Sequence, residues 1–548
     1  MINCLGAKTE ASSDGCQSKH SVHLFCPPYL SLHPCRRKQL FMKEAKKNAH
    51  WKKSDYDYII VGGGTAGCPL AATLSQNMSV LLLERGGSPF GNSNITDIHN
   101  FYANLLDYES PHTPTQEFIS EDGVINARAR VLGGGTCLNA GFYTRASSSE
   151  VRSMGLEPSL VEQSYQWVES TIAHRPAPNK WQNAVAEALT EAGVSPYNGF
   201  TYDHIPGTKL GGTIFNSTGH RSTAADILVK HANPRKLTVL LYATVQRLLL
   251  STKGKSRPKA YGVVFRDRDG AEHRVLLKKG NSEVIISAGA LGSPQLLMLS
   301  GIGPAEELKN MGIRVIMDQP EVGKNMADNP MNPIFVPSAV PLELSLIQVV
   351  GITKFGSFIE ASSGYGLSSE NIMNKGGIIL EKVSGPHSRG YLRLNSTNAG
   401  DNPVVKFNYF EHPVDLQRCV KGIRTIEKII ISRPMKQFIP PNVNLTQIMS
   451  ATFQHPINLI PRKTGDWDSL KQFCKDRVTT IWHYHGGCQV GSVVDGEYKL
   501  IGADGVRVID GSTFLFSPGT NPQATVLMLG RYMGVRILRE QLGRSTEV

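Results

Sequence analysis

Two short polar segments near the C-terminus contain the side chains best suited to move a proton. The first, residues 481–488, reads IWHYHGGC and contains His483 and His485. The second reads PGTNPQAT and places Asn521 on a proline-containing turn, just before Gln523 opens an apolar helix. Histidine titrates near neutral pH, and an asparagine amide can donate a hydrogen bond to a developing charge. The two segments together predict a polar reaction centre.

A glycine turn between two apolar runs is the most informative pattern in the chain. Residues 57–61 form an apolar, β-branched run, and Gly62, Gly64 and Gly67 follow it as G-x-G-x-x-G. A helical segment and a second apolar run come next, and Glu84 ends that run. The first glycine allows a tight turn, the second lets the backbone approach a pyrophosphate, and the third lets the helix pack close to the strand. Since the helix N-terminus attracts phosphate and Glu84 can bind a ribose, the unit predicts dinucleotide binding rather than an ordinary βαβ turn.

A second glycine-rich segment, residues 128–141, reads RARVLGGGTCLNAG. Its three successive glycines permit positive φ and close backbone approach. Thr136 and Asn139 can hydrogen-bond a ligand, and Ala140 with Gly141 leaves room for a flat ring. Taken alone, this segment fits a ligand-binding loop and a glycine-rich surface loop equally well.

A third segment, residues 289–303, reads GALGSPQLLMLSGIG and follows a buried strand. Ser293 and Pro294 predict the start of its helix, with serine as the cap and proline in the first turn. A strand that returns through small residues to a helix predicts a further piece of the same nucleotide-binding sheet.

The composition indicates an ordinary globular protein. With 548 residues, 40% hydrophobic and 19% charged, the chain is long enough for two closely joined domains. No apolar run approaches the roughly 18–20 residues that cross a bilayer, so the sequence predicts no transmembrane segment. Nucleic-acid binding is not predicted, because much of the +12 net charge lies in residues 1–53, without interleaved aromatic residues.

Residues 1–53 are predicted to form a disordered basic extension. They hold ten basic and three acidic residues and show no clear period. The segment lacks the continuous apolar core of a signal peptide. Its cysteines form no C-x2–4-C pair, and the sequence predicts no metal site.

These segments together resemble the glucose–methanol–choline (GMC) flavoprotein oxidoreductases over about residues 55–545. ARVLGGGTCLN and GALGSPQLLMLSGIG are similar to the two signature regions of that family. HYHGGCQVG and DGSTFLFSPGTNPQATVLMLGRYMG look closest to its plant HOTHEAD-like branch, which is related to the plant (R)-mandelonitrile lyases. The resemblance implies an α/β fold in which a Rossmann-like FAD-binding domain is interleaved with an α+β substrate-binding domain.

The resemblance also implies where the two domains lie. The FAD-binding domain would comprise residues 54–150, 220–330 and 475–548, and the substrate-binding domain residues 151–219 and 331–474. Residues 376–382 and 390–394 would be strands of a mainly antiparallel substrate-domain sheet with helices on one face. Residues 351–374 look short and irregular beside the family pattern, which could alter the substrate pocket or its wall.

Non-covalently bound FAD is the cofactor that the resemblance implies. The matching positions are Gly62, Gly64, Thr65, Ala66, Gly67, Glu84, Arg85, Val131, Thr136, Asn139, Ala140, Gly141, Phe142, Val245, Trp482, His483, Asp510, Gly511, Pro522 and Gln523. Thr65 and Ala66 would meet the pyrophosphate, and Val245 the adenine. A histidine that holds flavin covalently in some relatives has no counterpart here, since the corresponding stretch is residues 137–140.

Carried over from the family, His483 is the catalytic base and Asn521 its partner. Alcohol oxidation then sends the hydroxyl proton to His483 and a hydride to the flavin N5, while Asn521 donates to the alkoxide. The branch suggests a long-chain ω-hydroxy fatty acid as the alcohol substrate. One alternative is a hydroxynitrile (mandelonitrile) lyase with structural FAD, although such lyases carry a second histidine at the position of Asn521. The other is a flavin-binding remnant without activity, in which His483 is simply a core histidine.

Two cysteines, Cys419 and Cys474, resemble a disulfide pair of the lyase relatives. Such a bond requires an oxidising compartment. Relatives in this branch usually begin with a secretory signal peptide, which suggests secretion, but residues 1–53 do not resemble one.

Overall fold

A computed structural model describes residues 38, 40–46, 54–105, 113–254, 256–364, 376–454, 457–461 and 469–545. The strands in these ranges are β1 (Met42–Glu44), β2 (Tyr58–Val61), β3 (Val80–Leu83), β4 (Thr115–Ile119), β5 (Ile125–Ala129), β6 (Phe142–Tyr143), β7 (Tyr197–Phe200), β8 (Gly207–Leu210), β9 (Gly212–Thr213), β10 (Leu237–Leu241), β11 (Thr244–Ser251), β12 (Lys259–Arg266), β13 (Glu272–Leu276), β14 (Glu283–Ile286), β15 (Ile302–Gly303), β16 (Met317–Asp318), β17 (Lys324–Met326), β18 (Met331–Pro337), β19 (Val349–Ile352), β20 (Ser357–Ser363), β21 (Gly376–Val383), β22 (Gly390–Arg393), β23 (Val404–Lys406) and β24 (Val506–Val508).

The α-helices in the same ranges are α1 (Gly67–Leu74), α2 (Ser93–Thr96), α3 (Phe101–Leu105), α4 (Ser148–Ser153), α5 (Pro158–Ile172), α6 (Lys180–Glu191), α7 (Ala224–His231), α8 (Gly289–Leu299), α9 (Ala305–Asn310), α10 (Pro413–Ile431), α11 (Leu445–Gln454), α12 (Leu470–Asp476) and α13 (Gln523–Ser545). No helix among the described residues is both long enough and apolar enough to cross a membrane.

A parallel six-stranded sheet, ordered β1-β10-β3-β2-β14-β24, forms the first layer. Its central strands read YIIV and VLLL and are buried throughout, as expected where helices or loops cover both faces of a sheet. Side chains alternate between the two faces: Ile60 and Leu82 join one core, and Ile59 and Leu81 join the other. Helices α1, α7 and α13 pack in the first core and α8 in the second. The Rossmann-like part of the predicted fold is therefore confirmed.

Strand β1 departs from the sequence prediction. Residues 1–53 were expected to be disordered, but Met42–Glu44 pairs in parallel with β10 at the edge of the sheet. Phe41 and Ala45 are both buried in the cores beside that strand. The prediction of disorder is wrong for this strand because the apolar side chains of Phe41 and Ala45, which flank it, are buried in the two cores. Residues 1–37, 39 and 47–53 lie outside the described residues.

The second layer is a mixed six-stranded sheet, ordered β18-β21-β20-β19-β8-β7 and antiparallel except between β7 and β8. Helices α6 and α10 cover one of its faces. The buried side chains of α10 include Ile423, Ile426 and Ile430, which recur at helical spacing. This layer matches the predicted α+β unit.

Two details of the predicted substrate unit differ from the structure. Residues 351–363 are not irregular, because they lie mostly in β19 and β20, joined by a short turn; residues 365–374 lie outside the described range. Strand β22 belongs to a separate three-stranded sheet with β17 and β23.

Helix α5 lies within the predicted substrate segment 151–219, yet it packs in the first core with α13 and α7. Its Leu160, Tyr165 and Val168 side chains supply the apolar stripe for that contact. The remaining domain boundaries stay a prediction.

Cys419 of α10 and Cys474 of α12 form a disulfide, as the family resemblance implied.

Candidate functional site

Each glycine in the turn after β2 is required for a different physical reason. Gly62 has a φ of +101°, and a Cβ there would lie 2.3 Å from the carbonyl oxygen of Ser287. A Cβ at Gly67 would lie 2.0 Å from the carbonyl oxygen of Gly62, so that residue lets α1 start against the turn. At Gly64 a Cβ would meet only the Cα of Gly134, at 3.8 Å. Gly64 therefore keeps open a surface of the turn that lines a cavity.

Glu84 ties the end of β3 to this turn. Its carboxylate accepts hydrogen bonds from the Gly63 N–H at 2.9 Å and the Gly86 N–H at 2.7 Å. Burial raises the pKa of Glu84, although the backbone donors and Arg85 act in the opposite direction. Glu84 and Arg85 both line the cavity, and a ribose contact for Glu84 stays a prediction.

The second glycine segment faces the first across the same cavity. Gly133 and Gly134 both have positive φ, and the Gly133 N–H donates to the Gly63 carbonyl at 2.7 Å. A Cβ at Gly134 would lie 2.8 Å from the Cα of Gly64. Because bulkier residues would separate the two loops, the ligand-loop interpretation of residues 128–141 fits better than a surface loop.

Thr136 and Gly67 do not line the cavity, although both were expected to contact the cofactor. The Thr136 hydroxyl donates to the Gly133 carbonyl at 2.7 Å and accepts from the Ala224 N–H at 2.9 Å. It therefore fastens the glycine loop to the start of α7, and a contact between Thr136 and the cofactor stays a prediction.

The cavity has a volume of about 380 Å³ and joins the glycine turns to the C-terminal polar segments. The other predicted cofactor residues all line it: Gly62, Gly64, Thr65, Ala66, Glu84, Arg85, Val131, Asn139, Ala140, Gly141, Phe142, Val245, Trp482, His483, Asp510, Gly511, Pro522 and Gln523. Asn521 lines it as well. One cavity thus brings together residues from five separate parts of the chain, which suits an elongated dinucleotide that ends at a reaction centre.

Two side chains shape the part of the cavity next to α13. The Asn139 Nδ2 group donates to the Gln523 Oε1 atom at 2.9 Å, and the Asn139 Oδ1 atom accepts from the Gly141 N–H at 3.0 Å. Gln523 in turn donates to the Phe142 carbonyl. The first residue of α13 is therefore locked to the loop after the second glycine segment.

Asp510 is buried and organises the start of α8. Its carboxylate accepts from the Gly289 N–H at 2.9 Å, from the Ser512 N–H at 2.8 Å and from the Ser293 hydroxyl. Helix α8 begins at Gly289, four residues before the predicted cap. That prediction was wrong because Ser293 lies inside the helix, where its hydroxyl donates a hydrogen bond to Asp510 and accepts one from the Ala288 N–H.

His483 lies on an irregular segment that a buried carboxylate holds. Its backbone N–H donates to the Asp328 Oδ1 atom at 2.8 Å, and the Asp328 Oδ2 atom accepts from the Thr480 and Tyr409 hydroxyls, each at 2.6 Å. Burial raises the pKa of Asp328 to about 6, so the carboxylate is ionised at neutral pH. Trp482, just before His483, has a φ of +60°.

The His483 side chain is half-buried, and its pKa lies well below the usual histidine value. Burial is the largest cause, followed by the charges of Lys382 and His485. The ring is therefore neutral at physiological pH and can accept a proton. His485 does not line the cavity; its Nδ1 atom lies 3.0 Å from the His483 carbonyl oxygen.

Asn521 is 7% exposed and follows Thr520, which has a φ of +57°. Its Oδ1 atom accepts a hydrogen bond from the Lys382 Nζ atom at 2.9 Å. Lys382 also pairs with Glu360 at 3.0 Å, and the side chains of both are fully buried.

Sequence reasoning missed the buried residues Asp328, Glu360 and Lys382, and also Arg128, a half-buried residue that lines the cavity. Charged residues inside otherwise apolar strands, such as the EK pair after GGIIL, were the available signal for Lys382. Buried charges are rare unless they are paired or functional.

Comparison with known proteins agrees with this geometry. Residues 56–331 match the N-terminal domain of the GMC oxidoreductases, and residues 386–530 match the C-terminal domain. Protein HOTHEAD from Arabidopsis thaliana is 52% identical over 544 residues, covering 91% of each chain. An (R)-mandelonitrile lyase-like protein from the same plant is 48% identical over 92% of this chain and 93% of its own.

A sinalpyl alcohol oxidase, Nec3 from Nesocodon mauritianus, is 44% identical over 89% of each chain. Among solved structures, formate oxidase from Aspergillus oryzae superposes with a TM-score of 0.74 at 20% identity, covering 90% of this chain and 99% of its own. At that identity the superposition supports the fold alone. The predicted resemblance, the fold class and the FAD cofactor are thus confirmed, and this chain belongs to the GMC oxidoreductase family of FAD-dependent oxidoreductases.

Proposed function

We propose that the protein oxidises a primary alcohol to an aldehyde, with His483 as the base and Asn521 as the hydrogen-bond donor to the reacting oxygen. The alcohol loses its hydroxyl proton to His483 and a hydride from the adjacent carbon. FAD, when bound, supplies the acceptor for that hydride. The observation that carries the proposal is a half-buried, neutral His483 that lines one cavity with Asn521 and the glycine turn.

The protonation state of His483 suits this step. A base must be unprotonated before the reaction. Burial together with Lys382 and His485 lowers the pKa of His483, which keeps the ring neutral and at the same time makes it a weaker base. Apolar side chains of Phe101, Ile347 and Ile481 line the same cavity. They exclude water from the reacting carbon and give an apolar substrate body a surface to contact.

The substrate class of the proposal is a primary alcohol with an apolar chain, and a long-chain ω-hydroxy fatty acid is the first compound to test. The apolar cavity wall and the similarity to an alcohol oxidase support an alcohol with an apolar body, and the choice of the ω-hydroxy acid comes from the family resemblance. Chain length is the variable to scan, from ethanol to C16 ω-hydroxy acids.

Non-covalent attachment of FAD is also a proposal. The stretch 137–140 contains no histidine, and Cys137 does not line the cavity. The Cys137 thiol donates to the Leu132 carbonyl at 3.3 Å, and burial raises its pKa, so it is a poor nucleophile. Acid precipitation of the yellow protein should release FAD into the supernatant, whereas a covalent bond would leave the colour in the pellet.

Cyanohydrin cleavage is the second candidate, because a lyase-like protein is 48% identical to this chain. That reaction moves protons without net oxidation, and a second titrating group would assist it. An amide at Asn521 does not titrate in the physiological range, and this favours the oxidation.

A product assay separates the candidates. The FAD-loaded protein is incubated with primary alcohols and, separately, with mandelonitrile, and aldehyde, cyanide and the flavin band are followed. Aldehyde formation from an alcohol with loss of the flavin band supports the proposal. Cyanide release with an unchanged flavin band supports the lyase, and neither product supports a remnant without activity.

A further inference from the structure

Two fully buried charges lie on the face of the second sheet that meets the cavity wall. Strand alternation places Lys382 of β21 and Glu360 of β20 on the face that packs against Phe142 and Ile347, both of which line the cavity. Glu381, one residue away, lies on the opposite face, where it accepts from the Ser357 hydroxyl at 2.8 Å. The lysine is therefore directed towards the reaction centre and not into the helical layer.

Two contacts besides the one with Asn521 hold the Lys382 side chain in place. Its Nζ atom lies 3.0 Å from the Glu360 Oε2 atom and 4.3 Å from the centroid of the Phe358 ring. A buried ammonium is strongly unfavourable without partners, and a carboxylate and an aromatic face supply them. The side chain thus has one well-defined position.

From that position Lys382 donates to the Asn521 Oδ1 atom at 2.9 Å. A lysine nitrogen is here only a donor, so the amide must present its oxygen to Lys382 and its NH2 group to the other side. The hydrogen bonds among the described residues leave the Asn521 NH2 group without a protein acceptor, while Asn521 lines the cavity.

We propose that Lys382, held by Glu360, is a positioning residue that orients the Asn521 amide with its NH2 group towards the reacting oxygen of the substrate. This inference rests on the proposed function, in which Asn521 donates to that oxygen. Without Lys382 the amide can turn over and present its own oxygen, which repels a developing alkoxide. The orientation depends on the ammonium form, which Glu360 stabilises, because an ammonium group has no lone pair and cannot accept from the amide.

The test compares Lys382→Met, Asn521→Ala and the double variant as FAD-loaded proteins. Anaerobic stopped-flow measurements with a primary alcohol give the limiting rate of flavin reduction. We expect Lys382→Met to slow reduction by about 10- to 100-fold, somewhat less than complete loss of an oxyanion donor. The rates are compared on their high-pH plateau, where His483 is unprotonated with or without the charge of Lys382. Since Lys382 acts through Asn521, adding Lys382→Met to Asn521→Ala should there change the rate by less than about 2-fold. The proposal would be overturned if Lys382→Met reduced its flavin at the wild-type rate. It would also be overturned if the rate loss in the double variant equalled the product of the two single losses.

A binding measurement keeps the test independent of turnover. Trifluoroethanol, an alcohol that resists hydride loss, is titrated while the flavin absorbance is followed. Its Kd should rise by a similar factor in Lys382→Met and Asn521→Ala, and an unchanged Kd in Lys382→Met alone overturns the inference. If no alcohol reduces the wild-type flavin, the proposed oxidation fails, and this Kd comparison still decides the role of Lys382.

Two further variants guard against a folding defect. Lys209→Met removes another fully buried lysine from β8 of the same sheet, one that donates to the Thr144 hydroxyl at 2.8 Å and not to Asn521. Its reduction rate should stay close to that of the wild type, and a loss equal to that of Lys382→Met would overturn the proposal. Where Lys382→Met alone does not fold, Lys382→Met with Glu360→Gln removes both charges and should show the same slow reduction.

Discussion

Substitution of Gly64 by alanine should weaken FAD binding and leave the protein fold intact. A Cβ at Gly64 would meet only the Gly134 Cα atom, at 3.8 Å, which is an ordinary van der Waals contact. Gly64 does not have a positive φ, so alanine fits its backbone without strain. We therefore expect the unfolding free energy of the apoprotein to change by less than about 1 kcal/mol.

The same methyl group points into the cavity where the pyrophosphate is expected. Overpacking in a well-filled site costs typically about 1–3 kcal/mol, which corresponds to a rise in the Kd for FAD of about 5- to 150-fold. The assay is a fluorescence titration of apoprotein with FAD, with thermal unfolding followed by circular dichroism.

Gly67→Ala is the matched comparison. A Cβ there would lie 2.0 Å from the carbonyl oxygen of Gly62, which is backbone and cannot rotate away. We expect it to destabilise the apoprotein itself by about 3 kcal/mol or more. An unchanged Kd in Gly64→Ala would refute the pyrophosphate position, and equal destabilisation by both variants would refute the geometry of the turn.

Three other variants test the buried groups. Asp328 is ionised above its pKa of about 6 and protonated below it, so flavin reduction by an alcohol should slow below pH 6. Asp328→Asn should slow reduction at neutral pH by about 10-fold, because its amide accepts one hydrogen bond fewer from the His483 segment. The rate of this variant should no longer change around pH 6. Burial raises the pKa of Glu381 from 4.5 to about 8, so its contribution to stability is present below pH 4.5 and is lost as the pH rises through 8. Urea unfolding should show that loss, of order about 5 kcal/mol, in the wild type and not in Glu381→Gln. Cys419→Ser with Cys474→Ser opens a loop of 55 residues and should lower the unfolding free energy by about 4 kcal/mol, and an unchanged urea midpoint would contradict a formed disulfide.

Local patterns predicted the cofactor half of the cavity well. Strand, glycine turn, helix and Glu84 are consecutive in the chain, and each glycine has a local steric reason that sequence can express. Val245 and Gln523 lie far from that unit and were placed through the family resemblance, not through periodicity. Gly62, Gly64, Glu84, Val245 and Gln523 line the cavity and Gly67 does not, and the contacts assigned to each of them remain predictions.

One error arose where a side chain had two possible partners: Ser293 could cap a helix or bond a distant carboxylate, and the structure shows the second. The Thr136 hydroxyl fastens its own loop, and its contact with the cofactor stays a prediction. The missed residues depend on pairing across the fold. Lys382 meets Asn521 across 139 positions and Asp328 meets His483 across 155, and no local pattern encodes such contacts.

The central claim is that His483 removes the proton of an alcohol, and a single anaerobic experiment tests it most directly. Wild-type and His483→Ala proteins, both loaded with FAD, are mixed with a saturating primary alcohol, and the visible flavin band is recorded over time. We expect the wild-type band to bleach and the His483→Ala band to bleach at least about 100-fold more slowly, with FAD still bound. Bleaching of both proteins at the same rate would contradict the assignment of His483 as the base.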